Sequence, residues 1–250
     1  MFADIDAASE AASSLARESI RGALDAGRDP CVVLSGGRTP RDAFSLLARG
    51  IIEDKLPVAR ILWLFGDERW VLPSHPRSNE GMAREMLLGP IGAPETTIAS
   101  WKAGEGDPVD AAARYRARTA AVREAGGPDI LLLGMGADGH TASLFPGAEA
   151  RLAGREPMQV SADLPGDTAA VYLSEEREWR LTLCPGFLNA AGLVVFLVAG
   201  AGKRAALRAV LDGERSLPAA WIRGTRRVFL VTEETLGPGI GDFGRDVRHA

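Results

Sequence analysis

The stretch LLLGMGADGHTASLFPG, residues 131–147, joins an apolar run to a loop with four glycines, an aspartate, a histidine and two hydroxyl side chains. A short apolar run that ends in glycine is typical of a strand buried on both faces of a parallel sheet. Ligands of such sheets bind beyond the carboxyl ends of the strands. The stretch therefore favours an α/β fold and places its glycine loop where chemistry is expected.

The same alternation continues on both sides of this stretch. Five apolar runs predict buried strands, at residues 31–35, 59–65, 129–134, 193–200 and 227–232. Helical spacing of apolar residues appears between them, at residues 6–26, 41–49, 108–125 and 203–212 and after Ser78, a predicted N-cap. This order predicts a single Rossmann-like α/β domain over residues 1–250, with a mostly parallel sheet and helices on both faces.

The segment 151–183 departs from the alternation. It contains TAAVYLS and WRLTL, two short runs with β character that SEEREW joins. Such a pair predicts an antiparallel hairpin or edge strands, a short antiparallel addition around residues 157–183. No linker-like composition separates it from its neighbours, so we expect it to belong to the same domain.

Composition narrows the class of protein. Hydrophobic residues make up 46% and charged residues 25% of the 250 residues, as in an ordinary globular chain. A formal net charge of −4 provides no strong basic field, so nucleic acid is not an expected partner. No apolar run approaches the ~20 residues of a membrane span and no signal peptide is apparent, so we expect a cytoplasmic protein without a membrane partner. Cys31 and Cys184 lie far apart, which favours buried free thiols in a reducing compartment.

The first polar loop, LSGGRTP at residues 34–40, has the composition of an anion-binding turn. Glycine lets backbone N–H groups approach an anion closely, and a helix that opens after Thr39-Pro40 favours negative charge. The loop has neither the lysine and hydroxyl ending of a triphosphate loop nor the spacing of a dinucleotide loop. It predicts either a phosphate site or an ordinary tight turn before a helix.

The second loop, LFGDERWVLP at residues 64–73, places three consecutive charges after a strand. Asp67, Glu68 and Arg69 are costly at the end of a buried strand unless they pair or face a cleft. One interpretation is an ion-pair cluster on a surface turn. The other is that Arg69 holds an anionic or carbonyl group by charge-assisted hydrogen bonds.

The glycine loop 134–147 also admits two interpretations. Its first three glycines satisfy the G-x-G-x-x-G spacing of a dinucleotide site, but F-P-G at 145–147 would cut short the helix that a pyrophosphate needs. The alternative is a loop that presents His140, whose imidazole titrates near neutral pH and suits general-base work. A structural role is the common alternative for a solitary histidine. His75 and His249 have no comparable setting, and we expect both to be solvated.

Two cations complete the set of candidates. Arg180 lies in EWRLTL, and Lys203 lies in VAGAGKRAAL at a predicted helix start. A lysine in the first turn of a helix is unfavourable for the helix dipole, and an anion held there would explain it. The alternative is that Lys203 and Arg204 are ordinary surface charges.

Five segments carry a resemblance to a known family. They are L-S-G-G-R-T-P at 34–40, G-D-E-R-W-V at 66–71 with S-N at 78–79, G-M-G-A-D-G-H-T-A-S-L-F-P-G at 134–147, R-L-T-L at 180–183 and G-A-G-K at 200–203. Together they resemble the 6-phosphogluconolactonases of the glucosamine-6-phosphate isomerase/deaminase-like superfamily, whose fold is NagB/RpiA-like. The segment D-G-H-T-A-S-L-F-P is the most specific of them.

The resemblance implies hydrolysis of 6-phospho-D-glucono-1,5-lactone to 6-phospho-D-gluconate, a step of the oxidative pentose phosphate pathway, without a metal or organic cofactor. His140 matches the catalytic histidine that activates water, and Asp67 and Asp138 match acids beside it. Whether His140 acts alone or with either acid stays open. The positions that match the substrate and phosphate site are Ser35, Gly36, Gly37, Arg38, Thr39, Arg69, Arg180 and Lys203. The expected partner is this small molecule, and the expected state is a monomer or small homo-oligomer.

The chain departs from the family pattern at two places. Arg38 stands where the family often has a small hydroxyl residue, so a phosphate contact by Arg38 stays open. Thr232 and Glu233 stand where family members usually have a strand that ends in aspartate followed by alanines.

Three other functions compete with lactone hydrolysis. Amino-sugar phosphate deaminases of the same superfamily resemble D-G-H-I-A-F-N-E-P, with an acid before the proline, whereas this chain has none before Pro146. A non-catalytic sugar-phosphate sensor usually carries a DNA-binding domain, for which the first 30 residues leave no room. A nicotinamide dehydrogenase needs a strand followed by an acid, and residues 148–175 offer no clean example.

Overall fold

The computed structural model describes residues 1–237, and two five-stranded sheets organise them. The strands are β1 (Cys31–Leu34), β2 (Leu62–Phe65), β3 (Asp67–Arg69), β4 (Ile130–Leu133), β5 (Glu149–Arg151), β6 (Met158–Gln159), β7 (Thr168–Leu173), β8 (Glu178–Leu183), β9 (Leu193–Val198) and β10 (Arg226–Val231). The helices are α1 (Ile5–Asp25), α2 (Arg41–Glu53), α3 (Asn79–Ala83), α4 (Pro108–Glu124), α5 (Pro185–Leu188), α6 (Arg204–Leu211), α7 (Pro218–Trp221) and α8 (Glu233–Leu236).

The first sheet is parallel, in the strand order β10-β9-β4-β1-β2. Each of its strands falls within one of the five predicted apolar runs or starts one residue before it, so the prediction of a parallel α/β sheet is confirmed. The run 59–65 forms a strand only from Leu62 because Val58–Arg60 is a 3-10 turn. All residues of β1, β4 and β9 are buried, as expected for central strands under helices.

Helices flank this sheet where the apolar periodicity predicts them. In α1, buried residues recur every three or four positions, and the helix packs on four strands of the parallel sheet and on α2. Ser78 caps α3 as predicted, because its Oγ accepts the Gly81 N–H at 3.0 Å. The helix then continues as a π-helical turn, Arg84–Leu88. After α4, Gly126 and Gly127 have φ of +105° and +92°, which ends that helix.

The second sheet is antiparallel, in the order β3-β8-β7-β5-β6. The predicted hairpin is confirmed by the pairing of β7 with β8, in which Tyr172 lies opposite Trp179. The antiparallel part also extends to β3 and β5, outside residues 157–183.

The prediction of a loop at residues 67–69 is wrong, because these residues form an edge strand that pairs with β8. The chain bends at Gly66, whose N–H donates to Leu34 O and whose carbonyl accepts the Leu183 N–H, both at 2.8 Å. Gly66 thus belongs to both sheets. The second sheet therefore begins immediately beyond the carboxyl end of β2.

The remaining predictions concern the cysteines and the chain end. Cys31 and Cys184 are buried free thiols, and burial raises the pKa of Cys184 to about 12. No helix in residues 1–237 is both long enough and apolar enough to cross a membrane. Thr232 occupies the N-cap position of α8, the short helix that begins at Glu233, without a side-chain capping hydrogen bond to residues 1–237. His249 lies outside the described residues.

Candidate active site

The candidate residues gather at one edge of the parallel sheet. The loops after β1, β4 and β9 carry most of them, β3, which follows β2, carries Asp67 and Arg69, and β8, paired with β3, carries Arg180. In parallel strands the carboxyl ends point the same way. The predicted positions are therefore neighbours by topology.

His140 forms a close pair with Asp138. The Nδ1 atom lies 2.6 Å from Asp138 Oδ1, and the His140 ring rests against Phe145 with ring centres 4.2 Å apart. This hydrogen bond lowers the pKa of Asp138, so the carboxylate accepts and Nδ1–H donates. The arrangement leaves Nε2 as the ring nitrogen available to a substrate. The side chain of His140 is 31% exposed, so that nitrogen is reachable.

The glycines of this loop make room for the pair. A Cβ on Gly136 would overlap the imidazole ring and the Asp138 carboxylate. The Gly136 N–H also donates to His140 O at 2.8 Å, and Gly139 has a φ of +79°. No helix follows at residues 141–147. The spacing therefore serves the Asp–His pair, and the dinucleotide interpretation is rejected.

Asp67 contacts the same loop at a different point. Its carboxylate accepts hydrogen bonds from Ser143 Oγ at 2.8 Å and from Asn79 Nδ2 at 3.1 Å, and it is 8% exposed. Within residues 1–237, no hydrogen bond joins Asp67 to His140. Asp67 thus holds the backbone around Ser143 in place, whereas Asp138 contacts the imidazole.

Glu68 is buried and holds the start of α3. Its carboxylate accepts the Ser78 hydroxyl and the backbone N–H groups of Arg69, Asn79 and Glu80, at 2.7–2.9 Å. Burial raises the pKa of Glu68 to about 7, although these hydrogen bonds act in the opposite direction. The interpretation of residues 67–69 as a surface ion-pair cluster is therefore wrong. The sequence signal for this role was the predicted N-cap at Ser78.

Arg69 and Arg180 lie side by side, because β3 and β8 place them directly opposite each other. Arg69 donates to Arg77 O at 2.7 Å, and Arg180 pairs with Glu178. Two nitrogens of Arg180, Nε and Nη1, are buried without a hydrogen-bond partner in the described part of the chain, residues 1–237. Burial lowers the pKa of Arg180, Glu178 partly offsets this, and the charge of Arg69 adds to the lowering. Buried N–H donors that have no partner, beside a second cation, favour the binding of an anion.

Lys203 and Arg204 have different roles, although they are adjacent. Arg204 donates to Thr235 O and Glu234 O, each at 3.0 Å, and so holds the end of α8. The pKa of Lys203 is lowered by burial, and its amine has no described partner within residues 1–237. Arg204 is exposed, in agreement with the surface-charge interpretation, and its guanidinium is engaged by α8, whereas Lys203 remains available to an anion.

The glycine turn after β1 packs against α3. Ser35 is buried, Gly37 has a φ of +92°, and a Cβ on Gly36 would overlap the Asn79 amide. Helix α2 begins at Arg41 with no side-chain cap, so Thr39 is not its N-cap. Arg38 is exposed at the tip of this turn. Asn79, which the resemblance includes in the pair S-N at 78–79 without giving it a role, is therefore a further member of the candidate site.

A cleft of about 640 Å³ adjoins the Asp138–His140 pair. One wall is the loop Ala137–Ala148 and the other is the end of β7 with the turn after it, Tyr172–Glu176. The sequence did not indicate that this turn lies beside His140, and the lining of the cleft includes none of the predicted anion-binding residues. Within residues 1–237, no three His, Cys, Asp or Glu side chains form a set suited to a metal ion.

Known proteins are similar to this chain in both sequence and fold. The family model described as glucosamine-6-phosphate isomerases/6-phosphogluconolactonase matches residues 3–231. A 6-phosphogluconolactonase from Nostoc sp. is 38% identical over 184 residues, which covers 72% of this chain and 70% of that protein. The structure of 6-phosphogluconolactonase from Trypanosoma brucei is similar with a TM-score of 0.74 and 28% identity, over 94% of this chain and 95% of that one.

A structure of a monomeric glucosamine-6-phosphate deaminase is similar in fold alone. Its TM-score is 0.77 at 20% identity, over 94% of this chain and 98% of that one. The two activities thus occur on one architecture, and the sequence match decides membership. The chain belongs to the glucosamine-6-phosphate isomerase/6-phosphogluconolactonase family.

Proposed function

We propose that the chain hydrolyses 6-phospho-D-glucono-1,5-lactone to 6-phospho-D-gluconate, with His140 as the general base. The observation that carries this proposal is the Asp138–His140 pair, which leaves Nε2 free beside a cleft. The names of the relatives support the substrate. We expect the chain to act in the cytoplasm as a monomer or small homo-oligomer.

The reaction needs one proton acceptor and no intermediate that is covalently bound to the protein. Nε2 of His140 takes a proton from water, whose oxygen bonds to the lactone carbonyl carbon. The bond from that carbon to the ring oxygen then breaks, and the ring oxygen takes the proton back from the imidazolium. Asp138 fixes the ring orientation and stabilises the positive charge that forms on it. A lactone is an activated ester, so this set of groups suffices.

The substrate carries negative charge at its phosphate and, in the transition state, at its carbonyl oxygen. Lys203 and Arg180 have donors without a partner in residues 1–237, which suit either charge, and Arg69 adds a third cation. The glycine turn 35–37 offers backbone N–H groups to the phosphate. These assignments follow the family resemblance and the positions of the loops.

The rival on the same fold is an amino-sugar phosphate deaminase. The pattern of the deaminases has an acid directly before the proline. The corresponding segment of this chain, residues 141–146, reads T-A-S-L-F-P. In that segment Ser143 donates its hydroxyl to Asp67, and none of the residues from Thr141 to Pro146 is an acid. These observations favour the lactonase.

Initial rates with two substrates test the proposal. We expect the purified chain to hydrolyse freshly generated 6-phosphogluconolactone well above the spontaneous rate at neutral pH, and to leave glucosamine 6-phosphate unchanged. Release of ammonia from glucosamine 6-phosphate would favour the deaminase. Tight binding of both compounds without turnover would instead indicate a non-catalytic sugar-phosphate-binding module.

A further inference from the structure

Asn79 lies between two loops of the candidate site. It is the first residue of α3 and is 1% exposed. Its Nδ2 donates to Asp67 Oδ1 at 3.1 Å and to Asp67 O at 3.0 Å. On the other side, its amide packs so closely on Gly36 that no Cβ fits there. Asn79 thus contacts the glycine turn and the strand that carries Asp67.

The contacts continue from Asp67 to the catalytic loop. Asp67 Oδ2 accepts the Ser143 hydroxyl at 2.8 Å, and Ser143 lies three residues after His140. The Ser143 N–H donates to Thr182 Oγ1 at 3.2 Å, which ties the loop to β8. We name the set Gly36, Asn79, Asp67 and Ser143 the Asn79 brace. It connects the glycine turn after β1 to the His140 loop after β4.

One atom of the brace is unusual for a folded interior. Asn79 Oδ1 is buried and has no hydrogen-bond partner among residues 1–237. An unsatisfied buried acceptor costs ~1–3 kcal/mol, which offsets part of what the two Nδ2 hydrogen bonds contribute to stability. Its position against Gly36 does set how close the glycine turn lies to Asp67.

We propose that Asn79 is a positioning residue, which fixes the spacing between the glycine turn 35–37 and the His140 loop. The catalytic half of this proposal rests on the proposed function. A substrate whose phosphate lies on the turn and whose carbonyl faces His140 spans that spacing. Misplacement by about 1 Å can lower a rate ~100-fold, so small shifts of either loop matter.

Amide hydrogen exchange tests the brace without any assay of activity. Asn79→Ala is expected to raise the exchange rates of both residues 35–38 and residues 141–144. The matched control is Thr168→Val, which removes a buried hydrogen bond to Ala112 O outside the brace. This control should leave both segments unchanged. Faster exchange in only one segment, or in neither, would overturn the connection.

Kinetics test the positioning role. Asn79→Ala should lower kcat for the lactone about 10- to 100-fold, whereas Thr168→Val should keep kcat within about twofold. An Asn79→Ala variant that retains more than about half of kcat would overturn the role. If the unaltered chain hydrolyses no lactone, the proposed function fails and the exchange measurement alone decides the brace.

Asn79→Asp separates the effect of the Nδ2 hydrogen bond from the effect of side-chain size, because it keeps the shape of the side chain and removes its donor. The charged groups in contact with Asn79 are Asp67 and Glu68 on β3; Arg180 on β8 interacts with Asp67, and Glu80 pairs with Arg84. At about pH 8 the new carboxylate repels Asp67, and at about pH 6 a shared proton restores the hydrogen bond. The rate relative to the unaltered chain at the same pH should therefore rise on acidification. A flat ratio would contradict the proposal.

Discussion

Asp67 and Asp138 flank the same histidine loop but act on it differently. Asp138 contacts the imidazole at 2.6 Å, whereas Asp67 contacts the loop through Ser143. A residue pattern shows that acids precede a histidine, but it does not show which atoms they reach. The assignment of Asp67 as an acid beside the imidazole therefore needs a test of its own.

Asp67→Asn separates the charge of this residue from its hydrogen bonds. The amide can still accept from Asn79 and can pair with the Ser143 hydroxyl, so we expect kcat to stay within about threefold. Asp67→Ala removes both contacts, and kcat should fall at least about tenfold. Equal losses in the two variants would show that the negative charge itself is required at this position.

Lys203→Ala and Arg180→Ala should mainly raise KM. A phosphate handle that is remote from the carbonyl binds substrate and transition state alike, so kcat changes less than KM. Arg226→Ala is the matched control, because Arg226 is exposed at the opposite, amino end of β10. If kcat falls and KM does not change, the residue contacts the reacting carbonyl instead.

At the scale of elements, apolar periodicity is sufficient to predict the parallel sheet and the helices that flank it. Five buried runs and the N-cap at Ser78 follow from local chemistry, which the sequence contains in full. Strand β3 was missed because three charges in a row have no strand pattern. Its extended form depends on β8, more than a hundred residues later, and on the α3 donors that satisfy Glu68.

The glycine loop after β4 gives a test at this scale. Gly136→Ala places a methyl group where the His140 ring and Asp138 lie, so the rate of hydrolysis should fall at least about tenfold. Gly134→Ala is a matched control in the same loop, because a Cβ there meets no atom within 4 Å. Two variants of equal activity would contradict the close packing of the pair.

At the scale of the whole molecule, two sheets that share Gly66 bring the site together. The parallel sheet supplies the glycine turn, His140 and Lys203 at one edge, and the antiparallel sheet supplies Arg69 and Arg180. The family resemblance identifies these residues from the sequence alone. It could not show that Asn79 and Ser143 connect their loops, because those contacts depend on tertiary packing.

The central claim is that His140 is the base for lactone hydrolysis. The most direct measurement compares initial rates of 6-phosphogluconolactone hydrolysis by the unaltered chain and by His140→Ala, with circular dichroism to confirm that both are folded. We predict that the unaltered chain exceeds the spontaneous rate and that His140→Ala loses most of that gain. A folded His140→Ala variant with an undiminished rate would contradict the account.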